Sequence, residues 1–135
     1  MIRKIIVAIF LIFASLVVAD AQSDGTYRGK VRLTKDVEHI SGADRCVATG
    51  TGIEFRVTGA TISVTYRPGQ AFAGPLTEKG NFEISGTHPA GQPGKWISSQ
   101  WKGTLKGSQI AGNSSGRSPG RDCYHSFAAK KVGGT

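Results

Sequence analysis

Beyond its first two dozen residues the chain alternates apolar and polar positions with period two, the pattern of strands that bury one face. Ile53, Phe55 and Val57 alternate with Glu54, Arg56 and Thr58, and Ile62, Val64 and Tyr66 alternate with Ser63, Thr65 and Arg67. The same rule sorts Tyr27, Val31 and Leu33 from Arg28, Lys30 and Arg32. Phe82 and Ile84 share a face, as do Trp101 and Leu105, and then Cys123, His125 and Phe127. No stretch of period 3.6 interrupts them. Turns at Thr58-Gly59-Ala60, Glu78-Lys79-Gly80-Asn81 and Lys106-Gly107-Ser108 supply the positive φ that tight hairpins need. The pattern predicts about eight strands, near 26–34, 46–58, 61–67, 70–77, 80–86, 96–105, 108–113 and 122–131.

Eight antiparallel strands in meander order on a chain this short can close into a small up-and-down barrel, which removes exposed edges. A β-sandwich is the alternative. The longer connections are KDVEHISGADR, GTHPAGQPGK and GNSSGRSPGR, after strands 1, 5 and 7. In a meander the odd-numbered connections share one end, so this end carries the long loops and is where binding is expected. The inward set is rich in rings: Tyr27, Phe55, Tyr66, Phe72, Phe82, Trp101 and Phe127. So many rings favour a filled interior, although Gly29, Gly74, Gly103 and Gly112 lie in register with it and leave room for a pocket or for Trp101.

The first residues change the picture of where such a barrel would work. Arg3 and Lys4, an apolar run from Ile5 to Val18, and Ala19-Asp20-Ala21 form the three-part layout of a secretory signal. We expect residues 1–21 to be removed, leaving 22–135 as a single domain, periplasmic or secreted, monomeric and without a membrane span. Loss of Arg3, Lys4 and Asp20 lowers the formal charge from +8 to +7. A basic balance of this size favours anionic partners. Arg28, Lys30 and Arg32 line the outer face of strand 1, with Lys130 beside them on strand 8. Nucleic acid is disfavoured as a partner, because stacking rings among these cations are few.

Cys46 and Cys123 are the only cysteines, and an even pair in an exported chain reads as a disulfide. In a closed barrel strands 2 and 8 both flank strand 1, roughly 9.6 Å apart, beyond the roughly 7 Å Cα reach of a disulfide. At least one cysteine must therefore sit in a loop arching over the end of strand 1. The pair leaves too few thiols for a zinc site, and no metal or cofactor is expected.

Catalytic signatures are absent: there is no nucleophile elbow, no HExxH and no phosphate-binding glycine loop. Asp36, Glu38, Asp44 and Asp122 can gather at the loop end, but no spacing selects an acid–base pair. Candidate binding residues at that end are His39, Arg45, His88, Lys95, Arg117 and Arg121. Trp101 and His125 are the candidates for an internal pocket, although His125 on an apolar face reads more simply as a histidine hydrogen-bonded within the barrel. The expected function is a non-enzymatic binding or inhibitor module acting through the loop end on a protein or an anionic envelope component. The alternatives are a small-ligand carrier and an electrostatic binder of anionic envelope polymers.

GTYRGKVRL, the glycine hairpin turns and the closing RDCYHSFAAKKV resemble small exported β-barrel proteins of Gram-negative bacteria, with one cysteine early and one in the last strand. The architecture implied is similar to calycin-type barrels, which include lipocalins and avidins, and to barrel-shaped bacterial protease inhibitors. The lipocalin Gly-x-Trp signature is absent, since Gly25-Thr26-Tyr27 has Tyr in third place. The resemblance therefore implies a fold and an address, and no site residue is carried over.

Overall fold

Each of the alternating segments pairs with its neighbours in the computed structural model, which describes residues 23–42, 45–67, 70–89 and 96–133. The segment read as a secretory signal lies outside the described residues. The strands are β1 (Gly25–Glu38), β2 (Gly52–Thr58), β3 (Thr61–Arg67), β4 (Gln70–Pro75), β5 (Asn81–Pro89), β6 (Trp96–Lys106), β7 (Gln109–Ser118) and β8 (Arg121–Gly133). They form one antiparallel sheet in the order β4-β3-β2-β1-β8-β7-β6-β5. Because the first strand pairs with the last, the meander curls into a nearly closed barrel, and the sandwich alternative is set aside. No helix occurs among the described residues.

The remaining seam lies between β4 and β5, joined at the bridge between Leu76 and Phe82. Side-chain packing closes what backbone hydrogen bonds do not. The Phe72 ring lies against Gly86, where any Cβ would collide with it. A Cβ on Gly74 would stand 2.6 Å from the Glu83 carbonyl oxygen and 3.2 Å from Ile84 Cγ1, so β4 and β5 approach closely there too.

The expected rings converge. Phe55 is their hub, with ring centroids 5.2 Å from Phe127, 5.8 Å from Phe82 and 6.3 Å from Trp101. Trp101 also meets Phe127 and Tyr66 at 5.5 Å. Tyr27, Phe55, Phe82, Trp101 and Phe127 are buried, and Tyr66 and Phe72 pack half-buried against them. Truncating a phenylalanine so placed costs about 3–5 kcal/mol. Of the inward glycines, Gly103 and Gly112 admit these rings. A Cβ on Gly103 would stand 2.8 Å from Phe82 Cζ, and one on Gly112 would stand 2.8 Å from Phe127 Cζ.

Four boundaries differ from expectation by three residues or more. β7 runs to Ser118, so most of GNSSGRSPGR is strand and the β7–β8 connection is the tight turn Pro119-Gly120. β1 and β5 likewise extend to Glu38 and Pro89, into stretches expected as loop. Glycine, serine and asparagine are poor strand formers, but β7 lies between β6 and β8 and pairs along both edges. Ladder hydrogen bonds on both sides outweigh that weak local preference. Conversely, β2 starts at Gly52 and not near residue 46, because residues 45–51 leave the sheet and cross the barrel mouth. Of the three long connections expected at this end, the first remains between β1 and β2, most of the third is strand, and residues 90–95 of the second lie outside the described residues.

Cys46 therefore sits in a loop and Cys123 in β8, and they form a disulfide with Cα atoms 5.6 Å apart. The arch over β1 that the barrel geometry demands is present. At the opposite end the Tyr27 hydroxyl donates to the Ser23 carbonyl at 2.7 Å. Burial pushes the Tyr27 phenol above its ordinary 10.0, and the Asp24 carboxylate adds to the shift.

Two outcomes are expected. With a sequence separation of 77, replacing both cysteines by serine should lower the unfolding free energy by about 4 kcal/mol on the chain-entropy view, read from urea midpoints. The raised Tyr27 phenol favours the folded state fully below about pH 10, and that contribution fades as pH rises through the elevated value. The stability gap between the parent and Tyr27→Phe should therefore stay flat from pH 7 to 9 and narrow above about pH 10.

Candidate functional site

The barrel mouth is occupied by the segment that carries Cys46. Gly50 N donates to the Val31 carbonyl at 2.8 Å, and Val31 N donates to the Thr51 carbonyl at 3.0 Å. Leu33 N donates to Thr49 Oγ1 at 2.9 Å. Residues 49–51 thus continue β2 along β1 with irregular pairing, and Val47 packs half-buried against the core. His125, 8% exposed, places Nε2 2.7 Å from the Val47 carbonyl. A carbonyl only accepts, so Nε2 carries the proton and donates. His125 therefore holds the plug from beneath while the disulfide ties it from the side. Trp101, its partner as a pocket candidate, is 5% exposed and spans the ring cluster, with no hydrogen-bond partner for Nε1 among the described residues.

The rim outside the plug is an ion-pair network. Asp36 and Glu38 point to the same side of β1, opposite Cys123 and Arg121 in register. Arg121 Nη1 bonds Asp36 Oδ1 at 2.5 Å, and Nη2 lies 3.6 Å from Glu38 Oε1. His39 Nε2 is 3.1 Å from Asp122 Oδ2, while the His39 and Ile40 amides donate to the Gly120 carbonyl. Of the six loop-end candidates, the fold thus brings His39 and Arg121 to the rim and sets carboxylates against both. Arg45 is exposed in the plug, and Arg117 is exposed on β7. His88 lies within β5, paired with Ile97, and Lys95 lies outside the described residues.

A different surface keeps its cations. Arg28, Lys30 and Arg32 alternate outward along β1, about 6.8 Å apart by strand geometry. Register sets Lys130 beside Arg28, as the pattern of charges implied. Arg28 pairs with Glu54 at 3.1 Å. Lys30 and Arg32 are exposed between Gly52, Ala128 and Ser126, and no carboxylate among the described residues pairs with either. Lys35 follows beyond the bulge at Thr34, with its ammonium 5.7 Å above the Tyr124 ring.

The sequence pattern does not single out a second feature of the outer face. An open groove of about 540 Å³ crosses β5, β6 and β7 near the loop end. Its outward side chains fall in two cross-strand rows: Ser85, Gln100 and Ser115, then Thr87, Ser98 and Arg117. Alternating serines and threonines look the same in a sequence whether they meet water or a ligand, so only Arg117 stood out as a candidate. No family model matches the chain, and no curated protein or solved structure matches it either.

Replacing His125 by leucine would leave the Val47 carbonyl without its donor. We expect a loss of about 1–3 kcal/mol, with amide exchange accelerated first in residues 45–51 and only later in the strands.

Proposed function

We propose that the protein is a non-enzymatic exported binding module that takes anionic envelope polymers on the outer face of β1 and β8. The observation that carries this is the exposure of Lys30 and Arg32 among small uncharged neighbours. Cations without nearby acids keep their full attraction for a polyanion, and regular spacing along a strand presents them to an extended chain. The formal charge of +8 over the whole sequence acts in the same direction.

The loop end has less support as the principal contact, because Asp36, Glu38 and Asp122 already engage Arg121 and His39. A carrier role has less support as well, since rings and the Val47 plug occupy the interior. Periplasmic or extracellular residence agrees with the disulfide.

The test is retention on an immobilised sulfated polysaccharide, used as a general polyanion. The parent protein should bind at low salt and elute as salt rises. Lys30→Glu/Arg32→Glu should weaken binding by about tenfold or more while leaving the thermal midpoint unchanged. Equal elution of variant and parent would remove this face from consideration.

A further inference from the structure

The polyanion-binding role leaves the chemistry of the polymer open, and the groove on β5–β7 narrows it. We infer that this groove is a saccharide subsite, and that the polymer is an acidic polysaccharide whose sugar hydroxyls enter the groove and whose carboxylate meets Arg117. The inference rests on the role proposed above and adds a second, separate contact to it.

Three features of the groove bear on the class of ligand. Its side chains are hydroxyls and an amide, which both donate and accept. Ser85, Thr87, Ser98 and Ser115 make no side-chain hydrogen bond among the described residues. Gln100 Nε2 donates to Glu83 Oε1 at 2.6 Å, which turns the amide so that its oxygen stays available as an acceptor. A ligand that only accepts, such as a polyphosphate, would leave that oxygen unmatched. A sugar hydroxyl donates to it and accepts from the neighbouring serines.

The second feature is charge. Arg117 is exposed, and no carboxylate among the described residues pairs with it. Asp122 stands opposite it in register, but its carboxylate is engaged by His39 at 3.1 Å. Glu83 is held by Gln100 and lies 3.9 Å from Lys102. The groove therefore offers a guanidinium that makes no ion pair among the described residues, which suits a ligand carboxylate in two-pronged geometry.

The third is continuity. The row Ser85–Gln100–Ser115 continues in register to Tyr124 and then to Lys35 at the edge of the β1 cations. Neighbouring strands are about 4.8 Å apart, so this track is roughly 19 Å long. It can seat several sugar units between the groove and the stripe. The Lys35 ammonium stands 5.7 Å over one face of the Tyr124 ring, so the track passes a cation at that point.

The experiment compares polygalacturonate, linear polyphosphate, oligothymidylate and neutral dextran as ligands of the oxidised protein, by calorimetry at low and at high salt. Two variants are used: Gln100→Leu/Arg117→Leu in the groove, and Lys30→Glu/Arg32→Glu in the stripe. Ser98→Leu serves as a second groove variant that keeps the charge. The parent should bind polygalacturonate more tightly than the other three. Either groove variant should weaken polygalacturonate about tenfold and polyphosphate less than twofold, while the stripe variant weakens both. If the groove variants change neither ligand, or both alike, the saccharide subsite is overturned and the polyanion role stands. Tighter binding of oligothymidylate would overturn it in favour of nucleic acid. If no polyanion binds in a salt-dependent way, the role and the subsite fail together.

Discussion

β1 and β8 are the first and last strands of the domain, and their ladder from Thr26–Gly133 to Glu38–Arg121 is the constraint on which the other features depend. Without it the meander would be an open sheet with two long edges and a one-sided apolar face. With it, the rings of β2, β5, β6 and β8 meet around Phe55. Curling a sheet this tightly requires small inward residues where a large side chain arrives from another strand. Gly103 and Gly112 occur at such points, facing Phe82 and Phe127. The ladder also runs β1 on to Glu38, which carries Asp36 and Glu38 up to Arg121 and sets Cys123 opposite Asp36.

Closure leaves the mouth as the place where apolar surface would meet water. The 45–51 segment covers it with Val47, and three kinds of force hold the segment there: backbone pairing to β1, the His125 donor and the disulfide. A disulfide between two neighbouring strands would add little that the ladder does not supply. Here it ties a segment without a full ladder of its own to the strand that closes the barrel. The rim charges then have a structural role, since Arg121 joins the two carboxylates of β1 to the start of β8.

The proposed function is accordingly placed on the outer surface. An interior filled with rings and capped by a tethered segment leaves the outer sheet faces as the surface on which chemistry can vary without cost to the core. One such face carries Lys30 and Arg32, which pair with no carboxylate among the described residues, and the neighbouring one carries hydroxyls, an amide and Arg117 around an open groove. Residues on outward positions of a strand are held by the ladder on both sides, so a polymer meeting them finds a row already in place and orders little on binding.

Period-two alternation determines which face of a strand each side chain takes, and that property is local. It was enough for the all-β class, the positions of the hairpin turns, the inward ring set, the outward stripe of Arg28, Lys30 and Arg32, and the need for a cysteine in an arching loop. Where strands end and who stands opposite whom depends on neighbours distant in sequence and on the bulge at Thr34, which shifts the upper part of β1 by one residue. Ser114–Ser118 became strand because β6 and β8 pair with it on both sides, not because its residues favour extension. The same long-range register neutralised Arg121, turned His125 into the support of the plug, and aligned scattered serines with Gln100 and Arg117. Local chemistry thus determined the faces, and only tertiary pairing decided which groups on them are occupied and which remain free.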